Sequence, residues 1–168
     1  MIDEGIDPNQ AGRAVRNLLE LATYRSMTLL AWPVARSLLP ELGELEKSLN
    51  KTGEKLKKLE TLEDEQNLMT ELISEASKVE KLISDNNFRF SAMDAYFKIT
   101  ESRLEMLKEQ KIPTIRTLKE FHLRRFIPAY DTCVSVVKRK KNLSDRVGRT
   151  SELLHSRLQL SLEAQNQK

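Results

Sequence analysis

From Glu54 to Ile112 the chain contains neither glycine nor proline, and from Met69 onward the apolar residues of this stretch recur at alternating intervals of three and four. The positions are Met69, Leu72, Ala76, Val79, Ile83, Asn86, Phe90, Met93, Phe97, Thr100, Leu104 and Leu107. That rhythm is the seam of a heptad pattern, which keeps one stripe facing a partner as helices wind around each other. A strand, with its period of two, cannot place these residues on one face. A helix from about Glu65 to Gln110 is therefore predicted, and it needs partners, because tertiary packing of the apolar face, rather than helix propensity, supplies most of a helix's stability.

The same rhythm supplies those partners. Upstream, Leu38, Leu42, Leu45, Leu49, Thr52, Leu56 and Leu59 repeat it, although Gly53 weakens the pattern and Asn50 offers a turn end. Downstream, Ile115, Leu118, His122, Phe126, Ala129, Cys133, Val136, Lys140, Leu143, Val147, Thr150 and Leu154 repeat it again, shifting to Leu158 and Leu162. Near the start, Asp7-Pro8 reads as a cap followed by proline at the first helical position, and Val15, Leu18, Ala22, Leu29 and Trp32 give a helical face. Pro33 and Pro40 then predict a kink or break, and Pro128 a bend in the last arm. Thr61 is a predicted N-cap, with Glu63, Asp64 and Glu65 on the first turn where the helix dipole favours negative charge. Lys111-Ile112-Pro113-Thr114 marks a second reversal, with Pro113 opening the next helix.

Three arms, over about 9–60, 65–110 and 114–168, joined by short reversals must run antiparallel to their neighbours in sequence. The predicted fold is all-α: an elongated antiparallel three-helix, coiled-coil-like bundle occupying residues 1–168 as a single domain. The proline pair near residues 33 and 40 makes it four helices if it is a full break. Composition agrees, with 32% charged and 5% aromatic residues and only five glycines and five prolines, a balance suited to long amphipathic helices. No apolar run approaches the ~20 residues needed to span a bilayer, and no secretion signal opens the chain. The last pattern runs to Lys168 without a cap, which reads as a helix cut by the end of a fragment.

The net charge of +3 conceals an asymmetry, with residues 1–84 at −4 and residues 85–168 at +7. Pairing of an acidic arm with a basic one accounts for it most simply. Lys138-Arg139-Lys140-Lys141 is the densest basic run, read as a solvated or paired face with phosphate or lipid contact as the alternative; Arg124 and Arg125 share that ambiguity. No aromatic residues interleave with the run, so no nucleic-acid partner is expected.

No catalytic, cofactor or metal residues are assigned, and no enzyme is expected. His122 and His155 have no Cys or His at ligand spacing, and His122 falls in the seam as a core or register residue. Cys133, the only cysteine, is also a seam residue, where a free thiol behaves as a small hydrophobe. It excludes an internal disulfide and a Cys-rich zinc site. Glu60, Glu63, Asp64 and Glu65 lack the central glycine of a calcium loop and read as a solvated turn. Asn86, a lone amide in an apolar seam, reads as specifying register and helix number at some expense in stability.

The segments Arg89-Phe90-Ser91-Ala92, Ile112 to Phe121, and Ser144-Asp145-Arg146-Val147 through Leu162 to Gln167 resemble a bacterial family of membrane-anchored proteins of unknown function. Ala11-Gly12-Arg13, Thr23-Tyr24-Arg25 and Ala31 to Arg36 extend the resemblance over nearly the whole chain. It implies a location at the cytoplasmic face of the bacterial inner membrane, with this chain as the soluble helical part ahead of a carboxy-terminal anchor. A non-enzymatic stalk for spacing, oligomerisation or protein association, through itself or another helical protein, is the function expected. The alternative is the cytoplasmic stalk of a transporter similar to the bacterial magnesium channels, an analogy of architecture alone.

Overall fold

A computed structural model describes residues 7–166 and contains four helices, with no strand among the described residues. They are α1 (Pro8–Leu29), α2 (Ala31–Leu56), α3 (Leu62–Met106) and α4 (Leu118–Asn166). Pro8 stands at the start of α1 with Asp7 at the cap position, though the Asp7 side chain makes no capping bond. The first arm breaks at Leu30, ahead of both prolines. Pro33 then falls in the first turn of α2, where its missing N–H removes no helical bond, and α2 continues through Pro40. The seam nevertheless keeps its rhythm across Leu30: Leu21, Tyr24, Thr28, Ala31, Ala35 and Leu38 are buried or half-buried in unbroken steps of three and four.

Capping fixes both reversals. At α3, the Asp64 amide donates to the Thr61 hydroxyl at 3.1 Å, and the Thr61 amide donates back to the Asp64 carboxylate at 3.2 Å. This is a capping box with Asp in place of the usual Glu. At α4 the predicted start is four residues early. Pro113 lies in a turn, Thr114 takes a positive φ of 71°, and the cap is Thr117, whose hydroxyl accepts from the Glu120 amide at 3.0 Å. Glu109 reaches across the loop and accepts from the amides of Leu118 and Lys119. The free N–H groups of the α4 amino terminus are thereby covered by a carboxylate that the dipole also favours.

The chain forms two compact units, one from the stretch up to Arg36 with Phe88–Val134, the other from Ser37–Asn87 with the stretch from Ser135 onward. In the first, α1 runs antiparallel to α3, as Arg103 on Glu20 at 2.8 Å and the stacked rings of Tyr24 and Tyr96 show. α3 in turn runs antiparallel to α4, where Phe97 stacks on Phe126 and Tyr130. In the second unit α3 is again antiparallel to both neighbours, with Thr52 on Glu75 and Ile83 beside Lys140. α2 and α4 run parallel there, tied by Glu46 to Arg139 and Asn50 to Arg146. The cores are the buried seams, and fully buried side chains such as Leu42, Leu72, Leu143, Leu154 and Phe126 each contribute about 1.5–3 kcal/mol.

Two parts of the predicted seam are corrected. In α1 the face of Val15, Leu18 and Ala22 is exposed, as is Trp32 at the start of α2, and the buried positions of α1 are Leu21 and Thr28. In the first half of α3, Leu68, Glu75 and Leu82 are buried, where Met69, Ala76 and Ile83 were expected to be the seam residues. From Phe90 to Leu104 the predicted register holds. The two halves of α3 are joined by consecutive steps of four, Leu82 to Asn86 to Phe90, a stutter that locally unwinds a heptad supercoil. α4 needs no correction between Phe126 and Leu154.

Candidate interaction surfaces

In the second unit the polar groups of the seam are matched across helices. Glu75, almost fully buried, accepts from the Ser48 and Thr52 hydroxyls. Glu65 is 3% exposed, and one of its oxygens takes the Arg157 Nε at 2.6 Å while the other is buried without a hydrogen-bond partner. Its neighbours Glu63 and Asp64 are exposed, so the acidic turn read as solvated contributes one carboxylate to the interior. Arg157 also donates to the carbonyls of Leu56 and Leu59, the groups left open where α2 ends.

The basic run Lys138–Lys141 is not a continuous surface. Arg139 forms a forked pair with Glu46 at 2.8 and 2.9 Å, whose hydrogen bond holds the Glu46 carboxyl below the usual range. Lys140 is buried and its Nζ donates to the Ile83 carbonyl at 3.4 Å; burial pushes its pKa down. Only Lys138 and Lys141 remain exposed. Asn86 is half-buried, and its amide nitrogen donates to the Leu82 carbonyl of its own helix at 3.1 Å. Thr28 and Thr100 satisfy their hydroxyls in the same way, four residues back.

In the first unit the Tyr130 hydroxyl donates to Asp94 at 2.7 Å, and burial with this bond pushes the phenol up to about 12. Cys133, fully buried, is pushed up to about 11 by burial. A thiol so placed is a poor nucleophile. His122 is half-buried with Nδ1 lacking a partner; burial, then the nearby Arg25 charge, push its pKa down. His155 is exposed. Among the described residues no group of three or more His, Cys, Asp or Glu side chains could hold a metal ion, and no helix is long and apolar enough to cross a membrane.

Two surfaces stand out. One is the outer face of α1, where Val15, Leu18, Leu19 and Ala22 are exposed at spacings that place them on one side of a helix, with exposed Leu30 just past its end. Nearby, Trp32 lies open beneath the Arg36 guanidinium, 5.1 Å from its ring centre. The other is a cleft lined by Arg116, Phe121, Arg124 and Arg125. Arg124 and Arg125 were recognisable as a basic pair, whereas Arg116 carries no sequence signal and is brought to them by the 107–117 loop.

Heptad seams, cross-helix charge pairs and capped reversals define an all-α helical bundle protein. Residues 1–168 match the family described as a protein of unknown function (DUF3422), and the chain belongs to that family. No curated protein and no solved structure matches it.

Proposed function

We propose that this chain is a non-enzymatic helical module for protein association. The exposed apolar face of α1 carries the reading: an amphipathic helix ordinarily turns such a stripe inward, and here the inward side of α1 is Leu21, Tyr24 and Thr28. The second copy of this chain is the partner best suited, since an apolar helix face pairs with its own twin about a two-fold axis. On the resemblance carried by Arg89–Ala92 and Ile112–Phe121, the module also belongs to a membrane-anchored bacterial protein and acts as its spacer.

Light scattering of the wild-type chain and of the Leu18→Glu, Leu19→Glu variant tests the association. A discrete dimer that the variant converts to monomer supports it. A wild-type monomer at high micromolar concentration overturns self-association.

A further inference from the structure

We propose that the cleft bounded by Arg116, Arg124, Arg125 and Phe121 binds a multiply charged phosphate group, a function separate from association through α1. Of the other arginines, Arg103 takes Glu20, Arg139 takes Glu46, Arg146 takes Asn50 and Arg157 takes Glu65, while Arg25 keeps a buried Nε without a hydrogen-bond partner. The three in the cleft form no hydrogen bond and no ion pair with the described residues, although they line one concavity of about 380 Å³. Crowding like charges together is unfavourable unless an anion relieves it.

The carboxylates of the loop and of the first turn of α4, Glu109 and Glu120, are committed elsewhere. Glu109 is held by the amides of Leu118 and Lys119. Glu120 takes Lys111 at 2.8 Å, and Arg116 reaches it only as a weak, longer-range charge. The arginines therefore face the cleft with a surplus of positive charge, and their planar forks match the oxygens of a phosphate two at a time. A single carboxylate would leave two of the three charges unmet, whereas a phosphate monoester carries about 1.5 to 2 negative charges at pH 7, and pyrophosphate more. Phe121, 57% exposed and set edge-on to His122, gives the cleft an apolar wall suited to the organic part of such a ligand.

The group can come from a soluble phosphate or from a lipid headgroup, and two probes separate them. Calorimetric titration with inorganic pyrophosphate reads the first; co-sedimentation with phosphatidylcholine vesicles, with and without phosphatidic acid, reads the second. Binding to at least one probe is expected, weakened tenfold or more in Arg116→Gln and in Arg124→Gln, Arg125→Gln, with circular dichroism and melting unchanged. Lys138→Gln, Lys141→Gln, which removes exposed charge on the other unit, should change affinity less than twofold. Failure of both probes, or equal losses in the lysine variant, overturns the site, the latter by showing that attraction is diffuse. If the cleft variants melt early, Arg125→Lys replaces them: it keeps the charge but loses the fork, and full affinity in it also overturns the assignment.

Discussion

Cys133 shows what a seam position does to a reactive group. Buried in the α4 seam, its thiol is pushed up to about 11, so its thiolate fraction at pH 8 falls on the order of a hundredfold below that of an ordinary cysteine. Exchange of the thiolate with a disulfide reagent, which forms a mixed disulfide and releases the reagent's other thiol, should therefore be at least that much slower in the folded chain than in urea; equal rates would mean that the seam opens readily there. Glycine gives the opposite case. Gly43, Gly53 and Gly148 lie inside helices, and a Cβ on any of them would meet nothing within 4 Å. Replacing each by alanine should stabilise the chain by about 0.5–1 kcal/mol, since helical glycine gives up more backbone freedom for no packing gain. Urea midpoints check this, and a lower midpoint would show that one of these sites needs its glycine.

Among the elements, the end of α2 depends on a side chain from α4. Arg157 satisfies the carbonyls of Leu56 and Leu59 and balances the buried Glu65. Arg157→Ala should destabilise by about 2–3 kcal/mol, less than the loss from a fully buried pair because the Arg157 side chain is 41% exposed. Adding Glu65→Met should recover most of it; if the double variant is no better than the single, the carboxylate is not what makes the loss.

The same elements show how far the sequence could be read. α2 and α4 were legible because their seams are apolar and their flanks charged. The first half of α3 was ambiguous, since Leu68-Met69 and Leu82-Ile83 are adjacent apolar pairs that offer two registers one residue apart. The buried register places Glu75 inside, against Ser48 and Thr52, a choice that hydropathy counts against. α1 misled for a related reason: its most apolar residues face outward, and Thr28 sits inside because its hydroxyl bonds its own backbone. The Arg116 cleft was only half visible, because the turn conformations of Lys108 and Thr114, both at positive φ, decide where the loop delivers its arginine.

For the molecule as a whole, each unit carries an acid-sensitive link. Glu46 is lowered first by its bond from Arg139, and Asp94 first by its bond from Lys98 and then by Tyr130. Carboxyls whose folded pKa lies below the unfolded one stabilise fully above the unfolded values of 4.5 and 3.8. That contribution is lost as the pH falls through the lower folded values. The urea midpoint should therefore drop between pH 6 and pH 3, and the drop should be smaller in Glu46→Gln; an unchanged midpoint would show that neither link contributes to folding.

The heptad seams of α2 and α4 have a consequence for how such a chain can change over generations. A deletion of seven residues made at one level in α2, α3 and α4 returns every remaining seam residue to the same side of its helix. A deletion of three or four in a single helix rotates all that follows it away from its neighbours. The stutter at Asn86 shows that one helix can absorb such an offset. Elsewhere, lineages of this bundle are free to lengthen or shorten in whole repeats, and are held to their length between them.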